Sequence, residues 1–161
     1  MTLDPLYSVE REFAHPVEGM WHAWTDAAAL EAWYRPLELA VVPGSVTSEV
    51  EVGGWWTVAV DVPEHGFVAY FYGRYTRIEP MTALEHTLHY TLSADEFAAR
   101  DESVPSHRIV IDVEDRGGAT WVRFSQFGEL PEGEPDRAKA GMESYFDSLG
   151  QFLDEWQASQ P

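Results

Sequence analysis

AKAGMESYFDSLGQFLDEW, residues 138–156, reads as one amphipathic helix. Ala138, Met142, Tyr145, Leu149, Phe152 and Trp156 recur at steps of four and three, and Phe146 and Leu153 widen the apolar stripe. That period holds them on one face of a rod of about six turns. So long and one-sided a rod needs a broad apolar surface beneath it, and a sheet is the element that can offer one.

Working back toward the N-terminus, the segment from Pro131 to Pro135 is a linker, and from Arg35-Pro36 to about Gln126 the pattern is that of strands punctuated by turns. Val46–Val52 alternates before Gly53-Gly54. Trp56, Val58, Val60 and Val62 share one face of the next strand, which Pro63 ends. Gly66 opens an aromatic strand over 67–78, closed by Glu79-Pro80. Leu84, His86, Leu88, Tyr90 and Leu92 make a period-two face on the strand after it. An acidic loop from Ala94 to Pro105, with room for one helical turn, precedes two further alternating runs. Ile109, Ile111 and Val113 belong to the first of these and Thr120, Val122 and Phe124 to the second. Gly117-Gly118 between them is a hairpin signal.

The N-terminal part has a strand over 6–13 and then two short helices. Pro16 suits a first helical turn, and Val17, Met20, Trp21 and Trp24 form an apolar stripe. Asp26 is an N-cap for the second helix, which ends at Trp33 and buries Leu30 and Trp33. The order predicts one α+β domain over 1–161. In it a curved antiparallel sheet of about six to seven strands wraps the terminal helix, with two short helices after the first strand. A bent sheet around one helix leaves a gap, where a cavity is expected. The 22 aromatic rings (seven Trp, seven Tyr, eight Phe) exceed what a plain core needs and suit such a lining.

Composition narrows the function. Acidic residues number 28 against 10 basic ones, a formal net charge of -18, and Lys139 is the one lysine. A surface so negative repels phosphate backbones and anionic bilayers, so neither nucleic acid nor membrane is an expected partner. It also fits either plain solvation or adaptation to a salty cytoplasm. With no cysteine there is no disulfide, thiolate nucleophile or cysteine-held zinc. Met1–Phe13 lacks a basic and then apolar leader, and no run approaches the ~18 apolar residues of a spanning helix, so a cytoplasmic protein is expected.

Several stretches resemble a known family. Met20-Trp21-His22-Ala23-Trp24-Thr25-Asp26, followed by Leu30 and Trp33, is similar to the hallmark of the family named for an activator of the heat-shock-protein-90 ATPase. That family lies within the START and birch-allergen-like (SRPBCC) superfamily. Gly53-Gly54, Gly73, Ile78-Glu79-Pro80, Leu84, Thr87, Gly141 and Leu149 match further positions, from Val9 to Trp156 overall. Met142 stands where the family usually has Trp, which should alter the cavity floor. The resemblance implies the helix-grip (START-like) fold. It also implies one of three roles, because superfamily members bind lipids, sterols, hormones or polyketides, some are cyclases, aromatases or hydrolases, and one branch is co-chaperones. Homodimers are common among them. Fold alone does not choose.

Chemistry-bearing residues are few. His86 and His89, three apart on one strand, point to opposite faces, and no HExxH-like cluster exists, so no metal and no cofactor is expected. Ser125 and Ser144 lack a G-x-S-x-G context, and Gly53-Gly54 is not followed by the Lys-Ser/Thr of a phosphate loop. His86 and Tyr90 are polar on an otherwise apolar face. Each is either a paired core residue or the group that orients a ligand's polar end, and His86 is the one candidate for acid–base work. Tyr72 and Arg74 share the face of Tyr70 and Ile78, while Phe67, Phe71 and Tyr75 make an equally apolar alternative, so the inward face of that strand is undecided. Arg74, if inward, could clamp a carboxylate; if outward, it pairs with a surface acid. With Trp56 and Phe124 from the sheet and Met142 and Tyr145 from the helix, these residues form the candidate ligand-binding set. The leading reading is a carrier of a small, largely apolar molecule. An enzyme using the same cavity is the second reading, and a co-chaperone-like interaction module the third.

Overall fold

A computed structural model describes residues 4–160; Met1–Leu3, part of the N-terminal alternating stretch, and Pro161 lie outside it. The element order is β1 (Tyr7–Phe13), α1 (Val17–Thr25), α2 (Ala27–Trp33), β2 (Ala40–Val41), β3 (Thr47–Ser48), β4 (Trp55–Val62), β5 (Phe67–Glu79), β6 (Ala83–Thr91), α3 (Ala94–Ala99), β7 (Ser106–Asp115), β8 (Thr120–Phe127) and α4 (Glu134–Ser159). The strands pair antiparallel in the order β1-β8-β7-β6-β5-β4-β2, with β3 also on β4. This is the helix-grip architecture, α4 lying across the sheet.

Local sequence explains most boundaries. Asp26 caps α2, its Oδ2 accepting from the Ala29 amide at 3.0 Å. Gly133, at φ 87°, turns the chain into α4, and Pro135 sits in the first turn where its missing N–H costs nothing. α4 therefore begins inside the Pro131–Pro135 stretch, and its 26 residues span about 39 Å.

The expected strand over Val46–Val52 shrinks to Thr47–Ser48. Beyond it Gly53 adopts φ 87° and its N–H donates to the Tyr75 carbonyl at 2.8 Å, folding the segment into a turn. Val50 and Val52 are exposed, so their alternation does not mark a buried face.

Register decides which side chains look inward. Trp56 opposes Gly73, Val58 opposes Phe71, Phe71 opposes Tyr90, and Tyr75 opposes His86, all on the concave face. Gly73 is required there, because a Cβ on it would stand 1.9 Å from the Thr87 carbonyl oxygen. A bulge between Tyr75 and Arg77 then reverses the parity of β5. Ile78 thereby joins Phe71 and Tyr75 on the inner face, and the face it was expected to share with Tyr72 and Arg74 is broken.

The core fills the space between the sheet and the C-terminal half of α4. Phe146, Leu149 and Leu153 are buried there with Met20, Trp24, Leu30 and Trp33. Trp24 stands edge-on to Trp33 at 4.8 Å and stacks near Phe124 at 6.2 Å, geometries that add to area burial. Polar ties hold the helix down along its flank: Arg11 bonds Glu143 at 3.0 Å and Asp147 at 2.8 Å, and His15 bonds Asp154 at 2.7 Å. Among the described residues no helix is long and apolar enough to cross a membrane.

Candidate functional site

The N-terminal half of α4 does not close on the sheet. Between them lies a cleft of about 570 Å³. Its helix wall carries Ala138, Gly141, Met142 and Tyr145, one face of two successive turns. Its sheet wall carries Phe71 of β5, Leu88 and Tyr90 of β6, and Phe124 of β8. Tyr7 from β1 and Tyr34 from the end of α2 complete the aromatic lining.

Three aromatic pairs set its shape. Tyr34 meets Tyr145 edge-on at 5.0 Å, Phe71 lies against Tyr90 at 5.3 Å, and Tyr7 stacks on Phe124 at 6.2 Å. Depth is graded: Tyr34 is 4 % and Tyr145 8 % exposed, whereas Tyr90 is 51 % exposed and marks the mouth. Tyr34 is held by the segment after it, where Ser148 Oγ donates to the Arg35 carbonyl at 2.7 Å and the Leu37 amide donates to Ser144 Oγ at 3.0 Å.

One hydrogen-bonded chain runs along the sheet wall. The Tyr7 hydroxyl donates to Gln126 Oε1 at 2.6 Å, and Gln126 Nε2 donates to His107 Nδ1 at 2.6 Å. His107 Nε2–H then donates to the Glu129 carbonyl at 3.1 Å. A carbonyl can only accept, so that last bond fixes the imidazole tautomer and makes Nδ1 the acceptor. At the rim Glu134 and Arg137 pair at 3.2 Å. Burial pushes the Tyr7, Tyr34 and Tyr145 phenols well above their ordinary range, and mutual repulsion of the charges they would carry pushes Tyr34 and Tyr145 further. They are neutral hydroxyls at physiological pH.

Of the residues singled out from sequence, Tyr90, Phe124, Met142 and Tyr145 line this cleft together. His86 and Trp56 face the same side but lie behind the wall. His86 is buried, stacked on Trp56 at 4.4 Å, with Nδ1–H donating to the Thr87 carbonyl at 2.7 Å. Burial drives its pKa down to about 4, so it is a neutral core histidine at pH 7.

Tyr72 and Arg74 do not reach the cleft, because the register of β5 turns them to the convex face. There Tyr72 stacks on His89 at 4.9 Å and donates to the Asp101 carbonyl at 2.7 Å. Arg74 bonds the Gly53 carbonyl at 2.8 Å and Glu102 at 3.1 Å, its guanidinium 3.9 Å over Trp55. α3 and the loop after it cover this part of the sheet, so both faces are dressed.

The sequence reading missed Tyr7, Tyr34, Gln126 and His107. Two carried a usable signal: Gln126 follows Val122 and Phe124 on one face, and His107 precedes Ile109 and Ile111 on another. They are polar residues on apolar faces, the rule that drew attention to His86. Tyr34 follows a helix end, outside any period.

Residues 14–154 match the family model described as "Activator of Hsp90 ATPase homolog 1-like protein". Among solved structures, a Chromobacterium violaceum protein superposes with a TM-score of 0.76 at 18 % identity, covering 91 % of this chain and 95 % of that one. A Nitrosomonas europaea protein gives 0.76 at 19 % identity, over 97 % and 99 % of the two chains. A Silicibacter pomeroyi protein bearing the same family name gives 0.74 at 20 % identity, over 92 % and 96 %. At such identities the likeness establishes the fold. No curated protein matches the chain.

Proposed function

This chain belongs to the Activator of Hsp90 ATPase homolog 1-like family, and we propose that it binds a small, largely apolar molecule in the cleft between its sheet and α4. The observation that carries the reading is the uneven closure of α4: its C-terminal half is packed shut, while its N-terminal half leaves about 570 Å³ with mainly aromatic and aliphatic walls. That volume lies inside the ~300–1,000 Å³ range of small-molecule sites. Affinity would come chiefly from apolar burial at about 25 cal/mol per Å², less the cost of association.

A carrier is favoured over a catalyst by what the walls hold. Apart from the Glu134–Arg137 pair at the rim, the polar groups are neutral phenols, an amide, and an imidazole already bonded through both nitrogens. His86, the acid–base candidate, is outside the lining and neutral at pH 7.

The test is titration of the protein with N-phenyl-1-naphthylamine, an uncharged dye that fluoresces in apolar surroundings. Saturable one-to-one binding, lost when Met142→Trp narrows the cleft, is the expected result. Dye binding that is absent, or indifferent to Met142→Trp, would overturn the carrier reading.

A further inference from the structure

The deep end of the cleft carries hydroxyl groups that the fold leaves unused. Tyr7 donates to Gln126. Tyr34 and Tyr145, both nearly buried, make no side-chain hydrogen bond to any described residue, and their rings meet edge-on at 5.0 Å. Neither hydroxyl is sealed in, because the fully buried side-chain polar atom without a partner among the described residues is Trp24 Nε1; both phenols are open to the cleft and free to bond what occupies it.

The chemistry of that something is constrained from three sides. A phenol is a better donor than acceptor, because the ring draws on its oxygen lone pairs, so the complementary group is an acceptor oxygen. The formally charged side chains of the lining, Glu134 and Arg137, neutralise one another at the rim. A ligand carboxylate would find no cation at depth and would face a chain of net charge -18, and an ammonium would find no counter-carboxylate. Raised phenol pKa values keep both protons in place at neutral pH.

We infer that Tyr34 and Tyr145 form a polar subsite that receives an uncharged acceptor oxygen of the carbonyl type, with the ligand's apolar body directed toward Tyr90 and the mouth. This rests on the carrier reading and deepens it.

The experiment compares three probes of one shape by displacement of N-phenyl-1-naphthylamine: 2-acetylnaphthalene, its hydrocarbon analogue 2-ethylnaphthalene, and 2-naphthoate. In Tyr34→Phe/Tyr145→Phe the ketone should weaken by roughly three- to tenfold, the worth of one or two hydrogen bonds, while the hydrocarbon is unchanged. With a carbon-13 label in the carbonyl, its infrared stretch on the wild-type protein should lie below its value in cyclohexane. In the double variant it should return to that value.

Equal effects of the double variant on ketone and hydrocarbon, or a wild-type stretch at the cyclohexane position, would overturn the subsite and leave the cleft standing. Naphthoate binding more tightly than the ketone would overturn the requirement for an uncharged ligand. If the dye itself does not bind, the carrier reading falls and the subsite with it; dye that binds but is displaced by no probe overturns the subsite alone. The wild-type stretch decides the matter alone should the double variant unfold.

Discussion

Gly141→Leu should stabilise the protein and block the cleft at once, two effects of opposite benefit from one substitution. Gly141 sits in the helical interior of α4 on the cleft wall, and a Cβ built on it meets nothing within 4 Å. Replacing glycine with leucine in a helix gains about 0.7 kcal/mol of propensity. Partial burial of the new side chain adds up to about 1 kcal/mol. For a chain of this size each kcal/mol moves Tm by about 2–4 °C, so a rise of about 2–6 °C is expected by thermal unfolding. If the leucine denies a ligand about 60 Å² of apolar contact, 25 cal/mol per Å² gives about 1.5 kcal/mol, or roughly tenfold weaker binding of N-phenyl-1-naphthylamine. General damage cannot imitate this pair, since it lowers both quantities. A higher Tm with undiminished dye affinity would place the dye elsewhere and refute the argument.

Acidification should weaken the fold through His86. The native state holds it neutral down to about pH 4, while the unfolded chain takes up the proton near pH 6.5, so stability is intact above 6.5 and falls as pH drops toward 4. The loss by pH 5 is on the order of 2 kcal/mol, and urea titrations at pH 7 and pH 5 should show a smaller difference in His86→Phe than in wild type. Gly73→Ala should cost about 3 kcal/mol by chemical denaturation, because the added Cβ meets the Thr87 carbonyl oxygen across β5 and β6. Tyr72→Phe should remove the bond to Asp101 and about 1 kcal/mol of stability while dye affinity in the cleft stays the same; a drop in affinity would mean that the convex face contributes to the site.

Periodicity was a good guide wherever one face of an element is buried. The α4 stripe, the β6 alternation at Leu84 and Leu88, and the Asp26 cap all state local requirements that any chain must meet, whatever packs against it. The same rule misled at Val46–Val52, where Val50 and Val52 are exposed and Gly53 turned the backbone. It was silent on β5, aromatic on both faces, because α3 and its loop cover the convex side as the core covers the concave one.

By itself the sequence determined the helix-grip order, the strongly acidic surface, the absence of thiol chemistry, and the fact that α4 must lie on a sheet. Four cleft residues, Tyr90, Phe124, Met142 and Tyr145, were legible because each sits on a patterned face. Only tertiary structure decided that α4 closes over one half of the sheet and stands off the other, that a bulge after Tyr75 turns Tyr72 and Arg74 away, and that Tyr34 is drawn in from a helix end. The physical reason is range: period and capping are properties of neighbours along the chain. A cleft is set by cross-strand register and by side chains from β1, the end of α2, β5, β6, β8 and α4 meeting in space.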